Sequence, residues 1–99
     1  MPLAYRRSYE RFTLENATAL IIDGQDRRKS IIKDISTRGA GVIGNFPFAV
    51  DGRVETIITA SLFKEPVHKN ARVAWCSPVN ATLYQAGLDF GLDNEIDFG

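Results

Sequence analysis

The chain has 99 residues, 12 of them basic and 12 acidic, with 44% apolar and 24% charged side chains. That length supports one domain with one modest core, the composition is that of a folded globular domain rather than a disordered one, and the zero net charge leaves no global field to draw the protein to DNA, RNA or a membrane surface. A single cysteine, Cys76, excludes an intramolecular disulfide framework and, with no Cys or His neighbour at ligand spacing, gives no support to a zinc site.

In chain order, residues 1 to 13 are short of apolar periodicity and rich in Arg, Tyr and Ser, which reads as a loop or arm with at most one helical turn. Met1-Pro2 leads into charges rather than into the apolar stretch of a secretion signal, and no run nears the roughly 20 apolar residues of a membrane span, so a cytoplasmic protein is expected. Leu14 to Asp23 reads as a first strand, with Ala17, Ala19 and Ile21 on one face and Thr18, Leu20 and Ile22 on the other. Gly24-Gln25-Asp26 turns the chain into a second strand, Arg28 to Ser36, on which Ile31, Lys33 and Ile35 share one face and Ile32, Asp34 and Ser36 the other. A short strand, Ala40 to Gly44, follows the Arg38-Gly39 turn, then a bend carrying Phe46 and Phe48, and a turn at Asp51-Gly52.

Val54 to Leu62, rich in Ile and Thr, is the next strand, and Phe63-Lys64-Glu65-Pro66 breaks it. Val67 to Cys76 alternates, with Val67, Lys69, Ala71, Val73 and Trp75 on one face. Thr82 to Phe90 closes the chain with Tyr84, Ala86, Leu88 and Phe90 inward. Six short strands separated by turns, with no helical period, predict an all-β, six-stranded antiparallel barrel or sandwich. Trp75 and the aromatics Phe46, Phe48, Tyr84 and Phe90 read as core, Cys76 as a small hydrophobe at a strand end, and His68 as a surface residue.

Two polar clusters exceed what such a barrel needs. Arg6, Arg7 and Arg11 set three guanidiniums in six residues before the first strand, and Asp34, Ser36 and Gly39 place a carboxylate, a hydroxyl and a permissive glycine where the second strand ends. Arg can fork onto guanine O6 and N7 or onto phosphate oxygens, and its plane can stack on a base. An ionised aspartate only accepts, which suits the N1 and N2 donors of a guanine edge. The plainer reading makes the arginines solvated terminal charges and Asp34 and Ser36 turn formers bonded to nearby backbone.

Arg7 and Arg11 spaced R-x-x-x-R, with Asp34, Ser36 and Gly39 spaced D-x-S-x-x-G, resemble the PilZ family of cyclic di-GMP receptors. The resemblance continues through Ala71-Arg72-Val73-Ala74-Trp75 and Gln85-Ala86-Gly87-Leu88-Asp89-Phe90, and departs at the C-terminus, where many members carry a helix and this chain has Leu92 to Gly99. It implies a split-barrel fold at 14–99, a ligand-binding arm at 1–13, and a bacterial, cytoplasmic receptor or adaptor that binds cyclic di-GMP through Arg7, Arg11, Asp34, Ser36 and Gly39. Arg6 stands where the family varies the number of stacked ligand molecules.

The resemblance further implies no cofactor beyond that ligand, and a downstream protein partner in motility, exopolysaccharide secretion or transcription. The arm, with little apolar surface beyond Leu3, Tyr5, Tyr9 and Phe12, is expected to be flexible in the free protein and to order over the barrel on binding. The alternative is a PilZ-like protein-interaction module that binds no nucleotide. An enzyme is not expected: no G-x-S-x-G, H-E-x-x-H, P-loop or G-x-G-x-x-G is present.

Overall fold

The computed structural model describes residues 12–13, 16–91 and 96, with residues 12 and 13 described by their backbone alone. Its strands are β1 (Phe12–Thr13), β2 (Thr18–Asp23), β3 (Asp26–Ser36), β4 (Gly39–Gly44), β5 (Arg53–Thr59), β6 (Val67–Pro78) and β7 (Tyr84–Asp89), and no helix occurs among the described residues. Every pairing is antiparallel, in the order β1-β3-β2-β5-β6-β7-β4, and a further β3–β4 pairing closes β2 to β7 into a six-stranded barrel.

The expected all-β barrel is therefore found, with shifted boundaries. The first barrel strand starts at Thr18 rather than Leu14, because Asn16 adopts φ 58 and leaves the extended region. Phe12 and Thr13, expected to lie in the loop-like arm, instead pair with Ile35 and Asp34. β2 reaches along β3 only as far as Ile31, so the backbone groups of the far half of that edge take β1 as their partner.

β2 and β3 are joined through Gly24 and Gln25, with Gly24 at φ 65, the left-handed conformation that a two-residue hairpin loop requires. At the opposite end of the barrel the β3–β4 turn, Thr37-Arg38, is braced from the C-terminal side. The Phe90 N–H donates to the Arg38 carbonyl and the Ile96 N–H to the Thr37 carbonyl, each at 2.7 Å.

A six-stranded barrel has a narrow interior, and the sequence supplies small residues for it. Ala17, Ala19, Ala40, Ala71 and Ala86 are buried beside Ile32, Ile35, Val42, Ile58 and Val73, and the small side chains let the strands close around the larger ones. Each of the larger side chains contributes roughly 1.5–3 kcal/mol by burial. Ser30, buried among them, donates its hydroxyl to the Ala19 carbonyl at 2.9 Å. Phe46 and Phe48, with ring centroids 4.5 Å apart, cover the end that carries the β2–β3 loop, while Phe90 and Ile96 are buried at the other.

Two expected facings are wrong, for one physical reason. In β3, Ile32 pairs with Val42 but Asp34 pairs with Gly41, so Lys33 is an extra residue opposite no partner of its own. Such a bulge resets the two-residue alternation. Ile35 consequently turns into the core beside Ile32, whereas Ile31 stays 61% exposed. In β6, Val73 pairs with Leu88 and Trp75 with Gly87, so Ala74 is the extra residue. Trp75, expected in the core with Ala71 and Val73, faces outward at 45% exposure, and Cys76 packs against the core instead.

Candidate functional site

The two bulges flank a single row of residues. Asp34 on β3 lies opposite Gly41 on β4, Gly41 opposite Gly87 on β7, and Gly87 opposite Trp75 on β6. With strands about 4.8 Å apart, the row crosses roughly 14 Å of the barrel's outer wall. Both end residues lean inward over a glycine. A Cβ on Gly41 would come within 3.0 Å of Asp34 Oδ1, and one on Gly87 would overlap the Trp75 indole, nearest to Nε1. Asp34 and the indole thus line a shallow trough, a depression of about 70 Å³ bordered also by Lys33, Gly41, Val42, Gln85 and Ala86.

This trough offers a flat π surface at one end and a carboxylate at the other, with a lysine and a side-chain amide on its rim. An exposed indole is suited to stacking on a base, and a carboxylate to accepting from a base edge.

The remaining residues singled out from the sequence fall as follows. Ser36 is 6% exposed, and its hydroxyl donates to the Gly39 carbonyl at 3.4 Å, so it serves the β3–β4 turn. Gly39 lies directly against β7: a Cβ there would overlap the Leu88 carbonyl oxygen, so the strand packing itself requires glycine. Both sit within five residues of Asp34, at the same end of the barrel. Arg6, Arg7 and Arg11 lie outside the described residues. Arg11 directly precedes Phe12, which lies opposite Ile35.

A PilZ domain model matches residues 5–98 of the chain. The chain belongs to the PilZ domain family. No curated protein matches it in sequence. Among solved structures it is similar to the Bacillus subtilis inhibitor of motility MotI/DgrA, with a TM-score of 0.70 at 16% identity over 88% of this chain. The match spans 43% of that protein, so the likeness is one of fold and covers less than half of the neighbour. PilZ domains are binding modules, and the barrel seen here, with Asp34, Ser36 and Gly39 at one end, is a PilZ barrel.

Sequence reasoning missed Trp75, Gly87, Lys33 and Gln85 as parts of this PilZ domain's outer face. Gly41 and Gly87 did carry a signal. A glycine inside a strand often marks close approach by a neighbouring group, and here each lies beneath a side chain from the next strand.

Proposed function

We propose that this PilZ domain is a cyclic di-GMP receptor or adaptor, not an enzyme, whose ligand lies across the Asp34–Trp75 trough beneath the arginines of residues 6–11. The observation that carries this reading is the Asp34–Gly41–Gly87–Trp75 row: a carboxylate and an exposed indole stand at its two ends, and Asp34 lies opposite Thr13, two residues after Arg11 in the sequence. Arg7 and Arg11 would bind phosphates and guanine edges, and Arg6 would add a further cation. A depression of about 70 Å³ is too small to enclose a dinucleotide, so most of the ligand needs a cover from outside the barrel wall. The arm is the segment in reach. Binding then draws residues 5–11 over the wall and builds a surface of Tyr5, Tyr9 and nucleotide for a partner protein to read, without change in the barrel.

The alternative, an interaction module that binds no nucleotide, is favoured by one observation: Ser36 and Gly39 are fully accounted for by the turn and by β7. Thermal melting separates the two. A ligand that binds only the folded state stabilises it by RT ln(1 + [L]/Kd), about 2.7 kcal/mol at a hundredfold excess over Kd. Cyclic di-GMP should raise the melting temperature, and GMP and cyclic GMP should not. No shift with cyclic di-GMP leaves the interaction module as the reading.

Asp34→Ala tests base recognition. Adenine lacks the N1–H and N2 donors that Asp34 would accept, so the variant should lose affinity for cyclic di-GMP and also lose discrimination against cyclic di-AMP. Titrations of both dinucleotides against wild type and variant give the ratio. An unchanged ratio makes Asp34 a wall of the trough and nothing more.

A further inference from the structure

At the end of the barrel away from Ser36 and Gly39 there is a larger cavity, about 230 Å³, lined by Ile21, Phe46, Phe48, Val54 and Val73 with Asp23, Asp26 and Arg28 at its rim. Its position follows from the strand directions. β2 and β4 both run antiparallel to β3, so Asp23, where β2 ends, and Gly44, where β4 ends, share one end, while Ser36 and Gly39 share the other. Nothing in the nucleotide reading uses this cavity.

The walls are core side chains. Ile21 and Val73 are 4% and 1% exposed, and Phe46 and Phe48 are each 7% exposed. Ile21, Val54 and Val73 come from strands, and Phe46 and Phe48 from the segment between β4 and β5 with their rings buried. Val50, in the loop between lining residues Ala49 and Gly52, is 53% exposed and extends the apolar surface past the mouth.

At this volume the cavity falls below the range of about 300–1,000 Å³ typical of small-molecule and cofactor sites, and suits a single bulky side chain. Pockets of this kind receive the anchor residues of protein interfaces. The rim sets the charge of what accompanies the anchor. It holds two carboxylates and one guanidinium, and that guanidinium is already engaged, its carbon 5.1 Å from the Phe46 ring centroid and its Nη2 4.0 Å from Asp26 Oδ2. Asp51, next in the same loop, is held by Arg72 at 2.9 Å. The unbalanced charge at the mouth is negative.

We infer that this cavity is a docking point for a partner protein segment that inserts one aromatic or branched aliphatic side chain with a lysine or arginine beside it. The site stands apart from the nucleotide trough, so it is occupied by its own chemistry whether or not cyclic di-GMP binds.

The test is an amide NMR titration of the isotope-labelled chain, without nucleotide, using three capped dipeptides at millimolar concentration: acetyl-Phe-Arg-amide, acetyl-Phe-Glu-amide and acetyl-Ala-Arg-amide. The Phe-Arg probe should shift the amides of residues 23–28 and 46–54 and leave residues 34–41 in place. It should bind about fivefold more tightly than Phe-Glu, the scale of one exposed ion pair, and at least about tenfold more tightly than Ala-Arg, the scale of burying an aromatic ring. Ala49→Trp, which fills the mouth from an exposed position, should abolish the shifts, and Asp23→Asn with Asp26→Asn should equalise Phe-Arg and Phe-Glu. Shifts centred elsewhere, equal binding of Phe-Arg and Phe-Glu by the wild type, or no shifts with any probe would each overturn the inference.

Discussion

Arg7→Ala and Arg11→Ala should each weaken cyclic di-GMP binding by at least about tenfold, because a hydrogen bond to a charged group contributes roughly 1.5–3 kcal/mol and each guanidinium can make two in parallel. Stability should not follow. The core formed by the described residues runs from Ala17 to Ile96, and the melting temperature of both variants should match wild type in the absence of ligand. Calorimetry gives the affinities and a thermal melt gives the control. If both variants bind as wild type does, the arm takes no part in the site, whatever the trough contributes.

Trp75→Ala is the second large effect. Stacking of a base on an aromatic side chain contributes about 1–3 kcal/mol, so the variant should bind roughly 5- to 150-fold more weakly. Trp75→Phe should retain most of the affinity, since it keeps a π face in the same place. At 45% exposure the indole adds little to the core, and neither change should unfold the barrel. Gly87→Ala reaches the same point from beneath. A methyl group there occupies the space of the indole ring, which must swing away from the trough, so binding should fall to about the level of Trp75→Ala without any aromatic ring having been removed. Wild-type affinity in both Trp75→Ala and Gly87→Ala would mean that the ligand does not lie on this face.

Much of the architecture was legible because most strands obey a strict two-residue period. Ala17, Ala19 and Ile21 against Thr18, Leu20 and Ile22, or Ala86, Leu88 and Phe90 in the last strand, alternate as the sequence predicts and face as predicted. The period fails at Lys33 and at Ala74. Around Lys33 the run Ile31-Ile32-Lys33-Asp34-Ile35 itself breaks the alternation, and from Val73 to Cys76 every residue is apolar, so neither stretch assigns its faces unambiguously. The consequence was unequal. The β3 bulge turned Ile35 inward and Asp34, which alternation puts on the face of Ile32, outward, yet the carboxylate half of the candidate site could still be named from its motif. The β6 bulge turned a tryptophan outward, and a large aromatic in an alternating strand gives every reason to be read as core.

Ser36 and Gly39 illustrate the converse. Their spacing made them candidates for ligand contact; Ser36 instead bonds the nearby Gly39 carbonyl, as the plainer turn-former reading has it, while Gly39 is demanded by the Leu88 backbone of a strand distant in sequence. Residue pairs such as Gly87 and Trp75 come together only through the β6–β7 register, which a linear reading does not contain.

Amide hydrogen exchange with and without cyclic di-GMP tests the central claim most directly, because it reports where the ligand lies and what it orders in one measurement. Bound nucleotide should raise protection sharply at residues 5–11, and modestly at 33–41, 75 and 85–87, with little change through β5 and the first half of β6. Protection gained mainly at residues 53–72, or residues 5–11 equally protected with and without the nucleotide, would contradict a ligand clasped between the arm and the Asp34–Trp75 wall.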